Sequence, residues 1–205
     1  MKQRRRPGDA GQAFPIYITV VAGLLLLAFA YLAVGQAAAN RNGAQTAADA
    51  AALAAAMDTR DKLSDEWVEN VLDPTKWQAI FDGEGVPFDG CGRADQLAAQ
   101  NDATAFCGAA PGLPPGYTVD VETNKPVGDS IVPGTENMHS QASATAVIEP
   151  LCTFEPLGED ADGDVLPELD CKDREWILNP DDLTVLPEPE DLFNVHLADS
   201  QANDE

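Results

Sequence analysis

The feature that most constrains this chain is a run with no charge in it. Residues 13–34 read AFPIYITVVAGLLLLAFAYLAV. These are about 22 residues, and at ~1.5 Å each they cover ~33 Å as a helix, enough for the hydrocarbon core of a bilayer. A helix satisfies its own backbone hydrogen bonds, so the segment can sit in lipid. Pro15 falls near the helix start, where a missing N–H costs little. Tyr17 and Tyr31 lie towards the two ends, where interfacial rings are favoured. Lys2, Arg4, Arg5 and Arg6 precede the run, opposed only by Asp9. Positive flanks stay in the cytoplasm, so the N-terminus is expected inside and the long C-terminal part outside. A cleaved signal peptide is the rival reading, with the small residues Gly35, Gln36, Ala37, Ala38 and Ala39 as a processing site. The run exceeds the ~7–15 residues of a cleavable core, so a retained anchor is expected. The Arg4–Arg6 run lacks the hydrophobic signature that follows a twin-arginine signal.

Beyond that cap the chain is acidic. It has 35 Asp and Glu against 12 Lys and Arg, a formal charge of −23 over 205 residues. Such a field repels nucleic acid and disfavours a body that lies along anionic lipid. The four cysteines form two sequence-local pairs, about 16 and about 19 residues apart. Neither pair is C-x-x-C, and His139 and His196 are far apart, so a zinc site is poorly supported. In an oxidising compartment the count implies two bridges. Of the three connectivities, local pairing of Cys91 with Cys107 and Cys152 with Cys171 is expected, each loop contributing about 3 kcal/mol on the chain-entropy estimate.

Past the membrane run, residues 35–57 are alanine-rich and should continue the helix, since alanine is the best helix former. A kink is expected around residues 40–43. On its own this stretch reads as a stalk, with Leu53 and Met57 as one apolar contact stripe beside a small-residue face suited to close helix packing. The short basic start, Gly11-Gln12-Ala13, the immediate apolar helix and the string Gln45-Thr46-Ala47-Ala48-Asp49-Ala50-Ala51-Ala52-Leu53-Ala54 resemble the N-terminal region of Tad/Flp pilus-assembly proteins of the TadE/TadG-like type. The resemblance implies a pilin-like, single-pass envelope protein whose partners are other Tad assembly membrane proteins. Its firm part covers residues 11–57. A weaker likeness to the outer domain of actinobacterial TadE-like proteins extends through Cys91, residues 93–103, Cys107 and the segments 117–123 and 143–148. One departure bears on mechanism. The family's pseudopilins carry Glu five residues after a processing Gly, whereas Ile16 follows Gly11 and Ala13 follows Gly8 at that distance. An unprocessed, TadG-like accessory protein therefore fits better than a filament subunit.

The remainder predicts a small α+β domain. Two short helices are expected in residues 64–81, the first capped by Ser64 with Asp65 and Glu66 behind it, the second opened by Pro74. Trp67, Val71, Leu72, Trp77, Ile80 and Phe81 recur at helical spacing and read as core. Asp82-Gly83, Glu84-Gly85 and Asp89-Gly90 mark turns. Residues 93–105 read as a helix with Leu97 and Ala98 inward. Residues 117–123 alternate with Tyr117, Val119 and Val121 on one face, and residues 142–148 with Ala142, Ala144, Ala146 and Ile148. Together they predict a β-hairpin with a long Gly/Pro-containing excursion. A core this small needs its disulfides.

The sharpest chemical constellation is Asp160, Asp162 and Asp164 around Gly163, followed by Glu168 and Asp170. Alternating carboxylates in a glycine turn can wrap a hard cation, and the string resembles the D-x-D-G-D loops of extracellular calcium repeats. It departs from the EF-hand pattern, with Val165 in the glycine place and Cys171 in that of the bidentate Glu. A solvated acidic turn is the plain alternative, and no other cofactor is expected. Nothing pairs a nucleophile with a base or builds a phosphate loop, so neither an enzyme nor a small-molecule substrate is expected. The divisions expected are a basic segment (1–12), a transmembrane helix (13–34), an Ala-rich extension (35–57), an extracytoplasmic α+β domain (58–178) and an acidic tail (179–205). Leu183, Val185, Leu186, Leu192, Phe193, Val195 and Leu197 suggest that part of the tail packs on the domain, with residues 199–205 disordered.

Overall fold

The computed structural model of the chain describes residues 13–112, 114–126, 137–157, 165–172 and 174–198. Its spine is one α-helix, α1 (Ala13–Glu69), of 57 residues, about 86 Å long at ~1.5 Å per residue. After Pro15 no proline occurs until Pro74, and the alanines and leucines between them favour helix. The helix runs without interruption through residues 40–43, where a kink was expected. It ends where the Asn70 side-chain amide donates to the Glu66 carbonyl, at 2.8 Å, and the Trp77 indole donates to the Asn70 carbonyl, at 3.1 Å. Ser64 is therefore no N-cap: it lies buried inside the last turns of α1, and Trp67 belongs to the same helix. A 3₁₀ turn (Pro74–Lys76) and α2 (Trp77–Phe81) follow, with Pro74 at the first position as expected.

The helix expected over 93–105 is shorter. It is α3 (Cys91–Gln100), and the chain then reverses through Asp102, whose φ of 55° is left-handed. It returns as a strand, β1 (Ala103–Ala109). Next come β2 (Gly116–Thr123) and β3 (Gln141–Pro150), the hairpin that the alternation predicted. A small antiparallel sheet of three-residue strands, β4 (Cys152–Phe154), β5 (Leu169–Cys171) and β6 (Arg174–Trp176), was not legible in the sequence. A short helix, α4 (Pro189–Leu192), leads into β7 (Phe193–Leu197), which pairs antiparallel with β3. The main sheet has the order β1-β2-β3-β7, so part of the segment set apart as a tail is built into it. Residues 199–205 lie outside the described residues.

The inner face of this sheet, with Tyr117, Val119, Val121, Ala144, Ala146 and Ile148 buried, packs on the second half of α1. Disulfides join Cys91 to Cys107 and Cys152 to Cys171. The first ties the start of α3 to the inner face of β1, so the bend back that such a staple demands is made by the strand. The second crosses directly between β4 and β5. Of the residues in 64–81 read as core, Trp67, Val71, Trp77, Ile80 and Phe81 are buried and Leu72 is exposed. Ring centroids run Trp67–Trp77 at 5.4 Å, Trp77–Phe154 at 5.3 Å, Phe154–Phe81 at 6.1 Å and Phe81–Phe193 at 5.7 Å. This chain of rings joins the end of α1 to both sheets, and each such pair adds about 0.5–1.5 kcal/mol beyond the area it buries.

Candidate functional site

The helix α1 divides into two halves by what surrounds it. From Ile16 to Val34 its large apolar side chains, Leu24 to Leu27, Phe29 and Leu32 among them, are exposed, and no residue of its most apolar stretch is buried. A surface helix of a soluble domain carries a polar face; this half is apolar all round. It is long and apolar enough to cross a membrane.

Burial begins at Ala44 and follows helical spacing. Ala44, Ala47, Ala48, Ala51, Ala52, Ala55, Ala56, Thr59, Leu63 and Trp67 are all fully buried. The alanine-rich stretch is thus the central strut of the domain and not a stalk. The stripe that packs is the small-residue face; Leu53 is only partly buried and Met57 is exposed. Methyl side chains let neighbouring backbone come close. At Gly90 a Cβ would stand 2.3 Å from the Ala55 carbonyl oxygen, so only glycine fits there.

One buried polar knot fixes this contact. The Tyr117 hydroxyl accepts a hydrogen bond from the Gly90 N–H, at 3.0 Å, and shares another with the Thr59 hydroxyl, at 2.7 Å. Helix α1, strand β2 and the start of α3 meet at that oxygen. Tyr117→Phe leaves the Thr59 hydroxyl and the Gly90 N–H without this partner, and is expected to lower stability by about 1–3 kcal/mol. Urea unfolding of the full chain in mild detergent measures it, and an unchanged midpoint would show that the knot does not hold helix to strand. Outside it, Lys62 bridges Asp58, at 2.7 Å, and Asp89 on the loop before α3. These bonds, Asp58 first, hold the Lys62 ammonium charged above the ordinary lysine range. The bond from Lys62 in turn holds the Asp89 carboxyl below the ordinary carboxylate range. The link persists through neutral pH and loosens only as acid protonates Asp89.

Residues 11–58 match the model of the Tad family, Flp pilus-assembly TadE/G-like. The TadE/G-like segment is about a quarter of the chain. It spans the exposed apolar half and ends just before Thr59, so it also supplies every buried alanine of α1. The string from Gln45 to Ala54, which carries the resemblance most specifically, places Ala47, Ala48, Ala51 and Ala52 in the core. No curated protein and no solved structure matches the chain.

The acidic constellation is only partly visible. Asp160, Asp162 and Asp164 lie outside the described residues. Glu168 and Asp170, with Glu155 and Glu175, edge an open cleft of about 690 Å³ floored by Phe154, Leu166 and Pro167. Among the described residues no group of three or more His, Cys, Asp or Glu side chains is placed to hold a metal ion. His139 bonds to the Thr123 carbonyl and His196 to Asn194 on its own strand, so the two serve separate local contacts. The Thr59–Tyr117–Gly90 knot escaped the sequence reading. Its one visible signal was Asp89-Gly90, which read as a turn and gave no hint that the glycine abuts a helix.

Proposed function

We propose that this chain is a membrane-anchored structural protein of a Tad (Flp) type pilus or a related secretion apparatus. The first half of α1 spans the bilayer with the N-terminus in the cytoplasm, and the α+β domain stands outside. The observation that carries this reading is the single uninterrupted helix, bare and apolar for its first half and the core strut of a disulfide-bonded domain for its second. The TadE/G-like match over that helix supports the assembly role. The basic residues Lys2, Arg4, Arg5 and Arg6 support the orientation, and two disulfides suit an oxidising exterior. The role is structural, and its partners are other Tad assembly proteins.

The topology is tested with protease added to whole protoplasts. The domain is expected to be digested while a fragment of the N-terminal half stays protected. A domain left intact until the protoplasts are permeabilised would reverse the orientation. Crosslinking in intact membranes is expected to recover Tad-type components with the chain, and their absence would remove the assembly role.

A further inference from the structure

The main sheet ends at β1, and no described strand covers that edge. The hydrogen-bonding phase of the strand is fixed at its two ends. The Ala110 N–H donates to the Gly116 carbonyl, at 2.8 Å, and the Asn124 N–H to the Asp102 carbonyl, at 2.7 Å. In the antiparallel register with β2, even-numbered residues therefore bond to β2. Ala105, Cys107 and Ala109 turn their N–H and C=O groups to the open edge, while Ala103, in the same phase, is buried. Exposed edges are normally blunted by charge, by proline or by a bulge. This strand, Ala-Thr-Ala-Phe-Cys-Gly-Ala, has neither charge nor proline and pairs without a bulge, in a chain whose net charge is −23.

A second observation lies on the outer face of the same edge. Phe106, at the middle of the strand, is 66% exposed. Asp120 stands directly opposite it on β2, with Glu122 two residues further along. Phe106, Asp120, Glu122, Gln141 and Ser143 edge a shallow groove of about 380 Å³ that no lysine or arginine lines.

We propose that the β1 edge is an interaction surface that takes an extended, cationic segment of a partner protein as a fifth strand of the sheet. Main-chain bonds to Ala105, Cys107 and Ala109 give the register, and an apolar side chain of the partner covers Phe106. Lysine or arginine on the same face reaches Asp120 and Glu122, about 10 Å away across one intervening strand. The charge decides between occupants. A second copy of this chain would bring a neutral strand flanked by the same carboxylates, whereas a basic strand meets opposite charge. This inference rests on the reading that the domain docks with other proteins. It does not depend on which side of the membrane the domain occupies.

The test uses the purified full chain in mild detergent, so topology does not enter. The probe is a blocked heptapeptide, Lys-Thr-Val-Thr-Lys-Thr-Val, that places lysine and valine on one face. Adding it is expected to slow hydrogen exchange at the amides of Ala105, Cys107 and Ala109 at least tenfold. The same peptide N-methylated at the amides that face β1, or with glutamate for lysine, is expected to leave them unchanged. Phe106→Ser, at an exposed position, is expected to weaken binding about fivefold while the melting temperature holds. No protection, or equal binding by the methylated peptide, overturns the proposal. So does protection of the same amides that grows with protein concentration in the absence of peptide, because the edge would then belong to a second copy.

Discussion

Trp67→Ala is expected to remove about 3–5 kcal/mol of stability, a large part of what a domain of this size holds in reserve. The indole is fully buried at the end of α1 and leans on Trp77, the next link in the run of rings that reaches Phe154, Phe81 and Phe193. Its loss opens a cavity where the helix, the short α2 and the second sheet meet, and a helix end pinned by its own capping bonds cannot collapse to fill it. Near-ultraviolet circular dichroism of Trp77 and Trp176 in the full chain, followed through a urea titration, reads the effect. The indole N–H of Trp67 has no hydrogen-bond partner among the described residues. Trp67→Phe therefore deletes an unpaired donor along with some volume, and is expected to cost less than about 1.5 kcal/mol. If the alanine and phenylalanine variants unfold at the same midpoint as the parent, the ring cluster does not hold the sheets to the helix.

Loss of the bridges is expected to rank next. Serine at Cys91 and Cys107 together, or at Cys152 and Cys171 together, should each cost about 2–5 kcal/mol. The two losses act on different parts of the fold. Without Cys91–Cys107, α3 is held by its buried alanines, Ala94 and Ala98, and by the knot at Tyr117, and the edge strand β1 by its pairing with β2. Without Cys152–Cys171, strands of three residues each must hold their own pairing, and strands that short are weak in water. Removing both bridges takes away about as much free energy as a marginal domain possesses. The folded domain should then be absent in a reducing compartment and present in an oxidising one. Thermal melts with and without reductant, with mass spectrometry to confirm four free thiols, test this. A melting temperature that reduction does not move would mean the core stands without its staples.

What the sequence disclosed and what it hid divide along physical lines. The uncharged run was legible because nothing else explains so long a stretch without a charge. Strands β2 and β3 were legible because Tyr117, Val119 and Val121 alternate with polar residues, and Ala144, Ala146 and Ile148 fall on one face. The buried stripe of α1 was not, for the opposite reason: nine of the thirteen residues from Ala44 to Ala56 are alanine, so buried and exposed positions carry mostly the same side chain and give little contrast from which to read a face. The edge strand β1 was absorbed into a helix because Ala103 and Ala105 favour helix locally. What ends that helix is the backbone at Asp102, in a left-handed conformation that any sequence reading assigns to glycine or asparagine first. Strands β4 to β6 are too short to carry a period and owe their place to a disulfide and to Phe154. Strand β7 does alternate, through Phe193, Val195 and Leu197, but acidic and proline-rich flanks obscured it. Of the interaction machinery, the helix was visible in the sequence. The knot at Tyr117 and the open edge exist only once distant residues are brought together.

One consequence of the unbroken helix is mechanical. No hinge separates its bare end from the part clamped by the sheet, so the two ends turn as one piece. About 26 residues of α1 lie within the domain, an arm of about 39 Å. A tilt of about 10° at the apolar end swings the far tip by about 7 Å, and a pull on the outer domain returns along the same axis as torque on the apolar end.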